Sequence, residues 1–195
     1  ALVSVRRRVK NTVALACLGP PKQMEGLVRQ VHDRKNILIS GATGSGKTTL
    51  LMELMECIPK TERILTVEEC MEISSHHPHH ISLESRVANP EGFGEVTLRQ
   101  LMKNALRMRP DRIVLGECRG GEAFEFLQAM NTGHSGTMGT IHANSARDAL
   151  RRLEVLVLLG GVELPLGAVR EWIASNLAFV LHLNKDDRKI SQILE

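Results

Sequence analysis

Gly41-Ala42-Thr43-Gly44-Ser45-Gly46-Lys47-Thr48 fills every fixed position of the pattern G-x-x-x-x-G-K-[ST]. Each residue type in it has a physical task. The glycines let the backbone turn tightly, so that its N–H groups converge on phosphate oxygens. A helix starting at the loop adds the positive end of its dipole. Lys47 brings a cation to the β- and γ-phosphates, and Thr48 offers a hydroxyl to Mg²⁺. The candidate nucleotide contacts are therefore Gly41, Ala42, Thr43, Gly44, Ser45, Gly46, Lys47, Thr48 and the adjacent Thr49, with ATP and Mg²⁺ as the implied ligands.

The flanks carry the context this loop needs. Residues 36–40 (N-I-L-I-S) are a short apolar run stopping at glycine, which predicts a buried strand. Beyond the loop, Leu50, Leu51, Leu54, Met55 and Ile58 recur at helical spacing until Pro59. Further out, strands are predicted over 64–67, 81–83, 113–115 and 138–141. Helices are predicted behind Thr97, over about 122–130, behind Ser145, and from Pro165 through Trp172. Thr97 and Gln100 have the spacing of a capping box. Phe179–Leu183 and Ile190–Leu194 flank a polar turn and predict a closing hairpin. Strands alternating with helices imply an α/β fold, with a mostly parallel sheet covered on both faces. Residues 1–30 fit that alternation poorly and are broken by Gly19-Pro20-Pro21. They read as the end of an upstream domain and its linker, leaving 31–195 as the nucleotide-binding domain.

Composition narrows the function classes. Lys+Arg 25 against Asp+Glu 22 is too even to argue for a nucleic-acid partner. Aromatic residues make up 3%, few for a protein that stacks single-stranded bases. Cys17, Cys57, Cys70 and Cys118 form no C-x-x-C pair and predict reduced core thiols. The basic run at residues 6–10 reads as an exposed edge, or else as a contact with anionic lipid or a neighbouring subunit. In 76–80 (H-H-P-H-H), Pro78 interrupts any helix that could align zinc ligands, which favours an exposed loop.

A phosphate loop alone does not separate kinase, GTPase, helicase and motor. The strand at 113–115 runs into Gly116-Glu117, and a carboxylate at the C-terminal edge of a sheet lies where the ligand binds. Glu117 is thus a candidate to activate the attacking water, with a surface carboxylate as the plainer alternative. No guanine-reading N-K-x-D has the right spacing.

From Leu106 through Ala123 (L-R-M-R-P-D-R-I-V-L-G-E-C-R-G-G-E-A) the chain resembles the Walker B region of the type II/type IV secretion ATPases. Residues 128–134 (Q-A-M-N-T-G-H) and 140–145 (T-I-H-A-N-S) are similar to the stretch of that family ending in its "His box". The wording is nearest to the tight-adherence (Flp) pilus assembly ATPases, and the likeness covers roughly residues 4–180. It implies a RecA-like P-loop core with C-terminal helices and hairpin, and a motor hydrolysing ATP to power pilus assembly or secretion. Three residues would be catalytic: Glu117 as the Walker B glutamate, also holding Mg²⁺ through water beside Thr48; His142 as the γ-phosphate sensor; and Glu68 in an "Asp box" where Glu69 replaces the usual Asp. Arg86, Arg107, Arg109, Arg112 and Arg119 could each offset phosphate charge. Arg107 and Arg119 fall inside the matched motif and are the candidate finger or sensor, ion pairing within the fold being the alternative. The resemblance further implies a homo-hexamer with trans arginines from an N-terminal domain, an inner-membrane platform partner, no nucleic acid, and a cytoplasmic location against the bacterial inner membrane. Two other readings stay open: a nucleic-acid-dependent RecA-like motor, and a truncated nucleotide-binding module without efficient turnover.

Overall fold

The computed structural model describes residues 15–195; the basic run at 6–10 lies outside the described residues. Ile37–Gly41 forms β1 and is buried throughout, with Ile37 and Ile39 on one face and Leu38 on the other. A strand buried on both faces shows a continuous apolar run rather than alternation, which is why this segment reads as it does. The other strands are β2 (Ile64–Glu68), β3 (His80–Glu84), β4 (Arg112–Cys118), β5 (Met138–Ile141), β6 (Phe179–Leu183) and β7 (Ile190–Leu194). Among the described residues these make one sheet in the order β3-β2-β4-β5-β1-β6-β7. All neighbours are parallel except β6 and β7, the hairpin expected from the sequence.

Helices cover both faces. On one side lie α1 (Pro21–His32) and α2 (Lys47–Glu56), whose Met24, Leu27, Val31, Leu50, Leu51, Leu54 and Met55 meet Ile37, Ile39 and Val114. On the other lie α3 (Leu98–Ala105), α4 (Glu122–Asn131), α5 (Ala146–Leu159) and α6 (Leu166–Asn176). The capping box expected at Thr97 is present, and Ser145 caps the helix that follows it. Thr97 accepts from Gln100 N in a full capping box, and Ser145 accepts from Asp148 N. Phe124 and Trp172 meet edge to face at 5.4 Å and join α4 to α6.

Three local expectations change. No element was assigned to residues 21–32, yet they form α1. The Gly-Pro-Pro break is its entry, with Pro21 in the first turn, where a missing N–H costs nothing. α6 continues to Asn176, four residues past Trp172, because Ile173 is still drawn into the core. Of the thiols only Cys118 is buried; Cys57 is half-buried, and Cys17 and Cys70 are exposed, all four free.

The sheet is tied to α1 from beneath. The Arg112 guanidinium is fully buried, donating from Nε to Glu62 Oε2 at 2.5 Å and from Nη2 to the Val31 carbonyl at 2.9 Å. Asn36 joins three segments. Its Nδ2 donates to the Asn176 carbonyl at 2.7 Å, and its Oδ1 accepts from the N–H groups of Gly136 and Thr137.

Candidate nucleotide site

β1 delivers the phosphate loop to the C-terminal edge of the sheet, with β5 and β6 on either side of it. Neither neighbour is its successor in the chain, so the strand ends open a crevice there. Gly46 caps α2 in a left-handed conformation (φ 94°), which an L side chain adopts only under strain. Gly41 also has a positive φ (152°), and there an added Cβ would in addition stand 2.5 Å from Ser45 Oγ and 2.9 Å from the Leu183 carbonyl. Lys47 is 6% exposed, and its Nζ donates to the carbonyls of Gly41 and Ala42, each at 2.9 Å. Burial lowers its pKa, opposed by Glu117 and assisted by Arg119.

The remaining charged groups arrive from three strands. Glu117 is the penultimate residue of β4, where the pairing with β5 shifts register between Leu115 and Cys118. His142 follows β5 directly. His142 Nδ1 lies 3.3 Å from Lys47 Nζ, and its Nε2 lies 2.8 Å from Glu117 Oε1. An ammonium can only donate, so Nδ1 accepts and the ring proton sits on Nε2, toward Glu117. Burial, then the nearby Lys47 cation, push the His142 pKa down, which favours the neutral ring this arrangement needs. Glu117 Oε2 accepts from Arg119 Nη2 at 2.8 Å, whereas Oε1 is buried and has no aligned hydrogen-bond donor.

The glycine before Glu117 has a local cause. A Cβ on Gly116 would come within 3.0 Å of the Glu68 side chain, so Gly116 lets Glu68 cross toward the crevice. Glu68 Oε2 then accepts from the N–H groups of Glu72 and Ile73, both at 2.8 Å, and Oε1 from Ser82 Oγ at 3.2 Å. Burial raises its pKa against the pull of those N–H groups. Its neighbour Glu69 pairs with Arg119 Nη1. Thr48, Glu68, Glu69, Gly116, Glu117 and Arg119 line one open cleft of about 260 Å³ beside the loop.

The donor set fits a triphosphate with magnesium. A lysine is already held at the loop, the buried Ser45 Oγ has no partner, and the Thr48 hydroxyl shares a cleft with the carboxylates of Glu68, Glu69, Glu72 and Glu117. Thr43 and Gly44 form the exposed tip, and Thr49 lies in the first turn of α2.

The structure does not bring every candidate here. Arg112 is enclosed at the start of β4, paired with Glu62, seven residues of strand away from the crevice. Arg107 and Arg109 lie in the exposed link from α3 to that same end of β4, so neither reaches Lys47 within the chain. Arg86 donates to the Gly94 carbonyl in an exposed loop. The histidines of 76–80 have separate partners: His77 Nε2 meets the Pro59 carbonyl, His79 Nε2 accepts from Arg63 Nη1, and His80 Nε2 meets Thr66 Oγ1. The Arg119–Glu69 pairing had no sequence signal, since its partners lie 50 residues apart.

With this geometry in view, a family model described as "Type II/IV secretion system protein" matches residues 3–186. The chain belongs to this family. A Mycobacterium tuberculosis protein named for conjugal transfer is 42% identical over 184 residues, 93% of this chain and 52% of its own length. The crystal structure of the VirB11 ATPase of the Brucella suis type IV secretion system superposes with a TM-score of 0.80 at 35% identity, covering 89% of this chain and 52% of that one. The pilus retraction motor PilT with bound ADP gives 0.71 at 28%, covering 91% and 49%. The chain spans about half the length of the curated relatives it matches. With these neighbours, the type II/IV secretion family fold is the RecA-like ATPase core that the sequence predicts.

Proposed function

We propose that this chain is the ATP-hydrolysing core of a secretion or pilus motor. The observation that carries the reading is the contact series Lys47–His142–Glu117 at the mouth of the phosphate loop. Three groups from three separate elements converge there, and each suits one part of the reaction. Lys47 swings from the loop carbonyls to the β- and γ-phosphates of ATP, a short move for a flexible four-carbon stem. Glu117 Oε1, buried and without an aligned donor, accepts a proton from the attacking water. His142, neutral with a proton on Nε2, reports on the γ-phosphate through Lys47 and stands 2.8 Å from the Glu117 carboxylate. Glu68 shapes the crevice by fixing the backbone at Glu72 and Ile73. Bound Mg²⁺, held by Thr48 and through water by Glu117, would neutralise charge on the phosphates.

The finer readings rest on the resemblance and on the names of the relatives. They are a hexamer of the full-length protein, trans arginines from a preceding domain, a division that falls before α1 rather than at 30/31, which would cut that core-packed helix, and an inner-membrane platform as partner. They also include the tight-adherence (Flp) pilus as the system served, and a cytoplasmic location against that membrane. No helix among the described residues is long and apolar enough to cross a membrane, which is compatible with a peripheral attachment.

The test is made on the full-length protein. Lys47→Ala should abolish ATP and ADP binding, while Glu117→Gln should bind ATP and hydrolyse it at least ~100-fold more slowly. Turnover by Glu117→Gln at the wild-type rate would remove Glu117 from the reaction.

A further inference from the structure

Arg119 lies two residues past Glu117 and has half of its side chain exposed, which is where a charge offered to a neighbouring subunit would stand. Its guanidinium is nevertheless engaged at both ends. Nη2 donates to Glu117 Oε2 at 2.8 Å, and Nη1 pairs with Glu69 Oε2. The two carboxylates are anchored independently. Glu117 lies one residue before the end of β4, whereas Glu69 follows the end of β2, where its carbonyl accepts from Ser85 Oγ and the preceding Glu68 is fixed by two backbone N–H groups.

The bond to Glu117 matters because of what the other carboxylate oxygen lacks. His142 approaches Oε1 to 2.8 Å without hydrogen-bond alignment, and that oxygen is buried with no aligned donor. The bond from Arg119 is therefore the aligned one that sets the plane of the carboxylate and leaves Oε1 for water. A guanidinium suits this task better than an ammonium, since its planar fork can hold two carboxylates in fixed relative positions. Glu69 keeps the fork from swinging away.

We propose that Arg119 is a positioning residue for Glu117 within its own chain, held in place by Glu69, rather than a finger for another subunit's nucleotide. The proposal rests on the ATPase reading above. Loss of one charge-assisted bond to the catalytic carboxylate should cost about tenfold in rate.

The experiment uses the full-length protein, with kcat, KM for ATP and the affinity for a fluorescent ADP measured together. Arg119→Gln should lower kcat about tenfold and leave ADP affinity within about twofold; Arg119→Lys should recover part of the rate. Glu69→Gln should lower kcat by a smaller factor, about threefold, again with affinity kept. A differently tagged pair, Glu117→Gln and Arg119→Gln, is then co-expressed and mixed oligomers are isolated through both tags. Action within one chain predicts turnover no higher than the mean of the two parents. Turnover above both parents would mean that Arg119 serves a neighbour, and the proposal would be wrong. Glu69→Gln at the wild-type rate, or an Arg119→Gln defect confined to affinity, would also overturn it. A wild-type protein that binds ATP without hydrolysing it would instead overturn the ATPase reading itself.

Discussion

Lys47 Nζ and His142 Nδ1 stand 3.3 Å apart although 95 residues separate them in the chain. The contact links the loop that binds phosphate to the end of β5, and through His142 to Glu117. His142→Ala leaves the loop carbonyls to hold Lys47, so nucleotide affinity should stay within about threefold. Turnover should fall roughly 100-fold, the scale for losing one preorganised polar group at a reacting centre. Steady-state rates beside calorimetric ADP binding separate the two; a variant that loses affinity and keeps kcat would place His142 in binding alone.

The two loop glycines should fail to different degrees. Gly46 has room for a methyl group, its nearest neighbours being 4.0 Å away, but its φ of 94° strains an alanine by about 1–2 kcal/mol. Gly46→Ala should weaken ATP binding roughly tenfold and lower the melting temperature by about 3–5 °C, the scale of that strain. Gly41→Ala adds to a positive φ of 152° a Cβ 2.5 Å from Ser45 Oγ, and should lower thermal stability by more than Gly46→Ala as well as reduce affinity. Equal behaviour of the two variants in a melting and binding series would contradict this distinction.

Arg112 and Glu62 are a buried pair, and removing one partner strands the other. Arg112→Ala should destabilise the fold by about 3–5 kcal/mol, lowering the melting temperature by roughly 10 °C. Arg34, 3.2 Å from Glu62, softens the loss. Arg112→Met combined with Glu62→Leu should recover most of it, because no buried charge then lacks a partner. Differential scanning calorimetry checks both; a double variant no better than Arg112→Ala would mean that the Val31 tie, not the charge, carries the effect.

Glu56 makes stability depend on acid pH. Partial burial pushes its pKa up, but hydrogen bonds from Ser75, the His76 N–H and Lys60 outweigh that and hold it at about 2, below the ordinary 4.5. A depressed carboxyl stabilises the fold above its unfolded pKa and loses that contribution as pH falls through the folded value. The advantage of wild type over Glu56→Gln in chemical denaturation should therefore be complete above pH 4.5 and shrink toward pH 2. An advantage that grew on acidification would exclude this account.

What the sequence determined by itself was whatever depends on neighbours along the chain. The phosphate loop, the strand and helix flanking it, the capping box at Thr97, the N-cap at Ser145, and the closing hairpin all follow from local spacing, since backbone geometry needs only adjacent residues to choose it. The amphipathic spacing of Met24, Leu27 and Val31 was also present in the sequence, hidden by the Gly-Pro-Pro entry that made α1 look like a linker. Only the tertiary structure decided which charges meet. Lys47, Glu117 and His142 are brought together by strand order; Arg112, near in sequence to Glu117, is carried to the opposite end of β4 and buried against Glu62. Arg119 is committed to Glu69 because β2 and β4 lie side by side. Electrostatic partners are set by distance through space, and a parallel sheet places next to each other residues that the chain holds 50 or more positions apart.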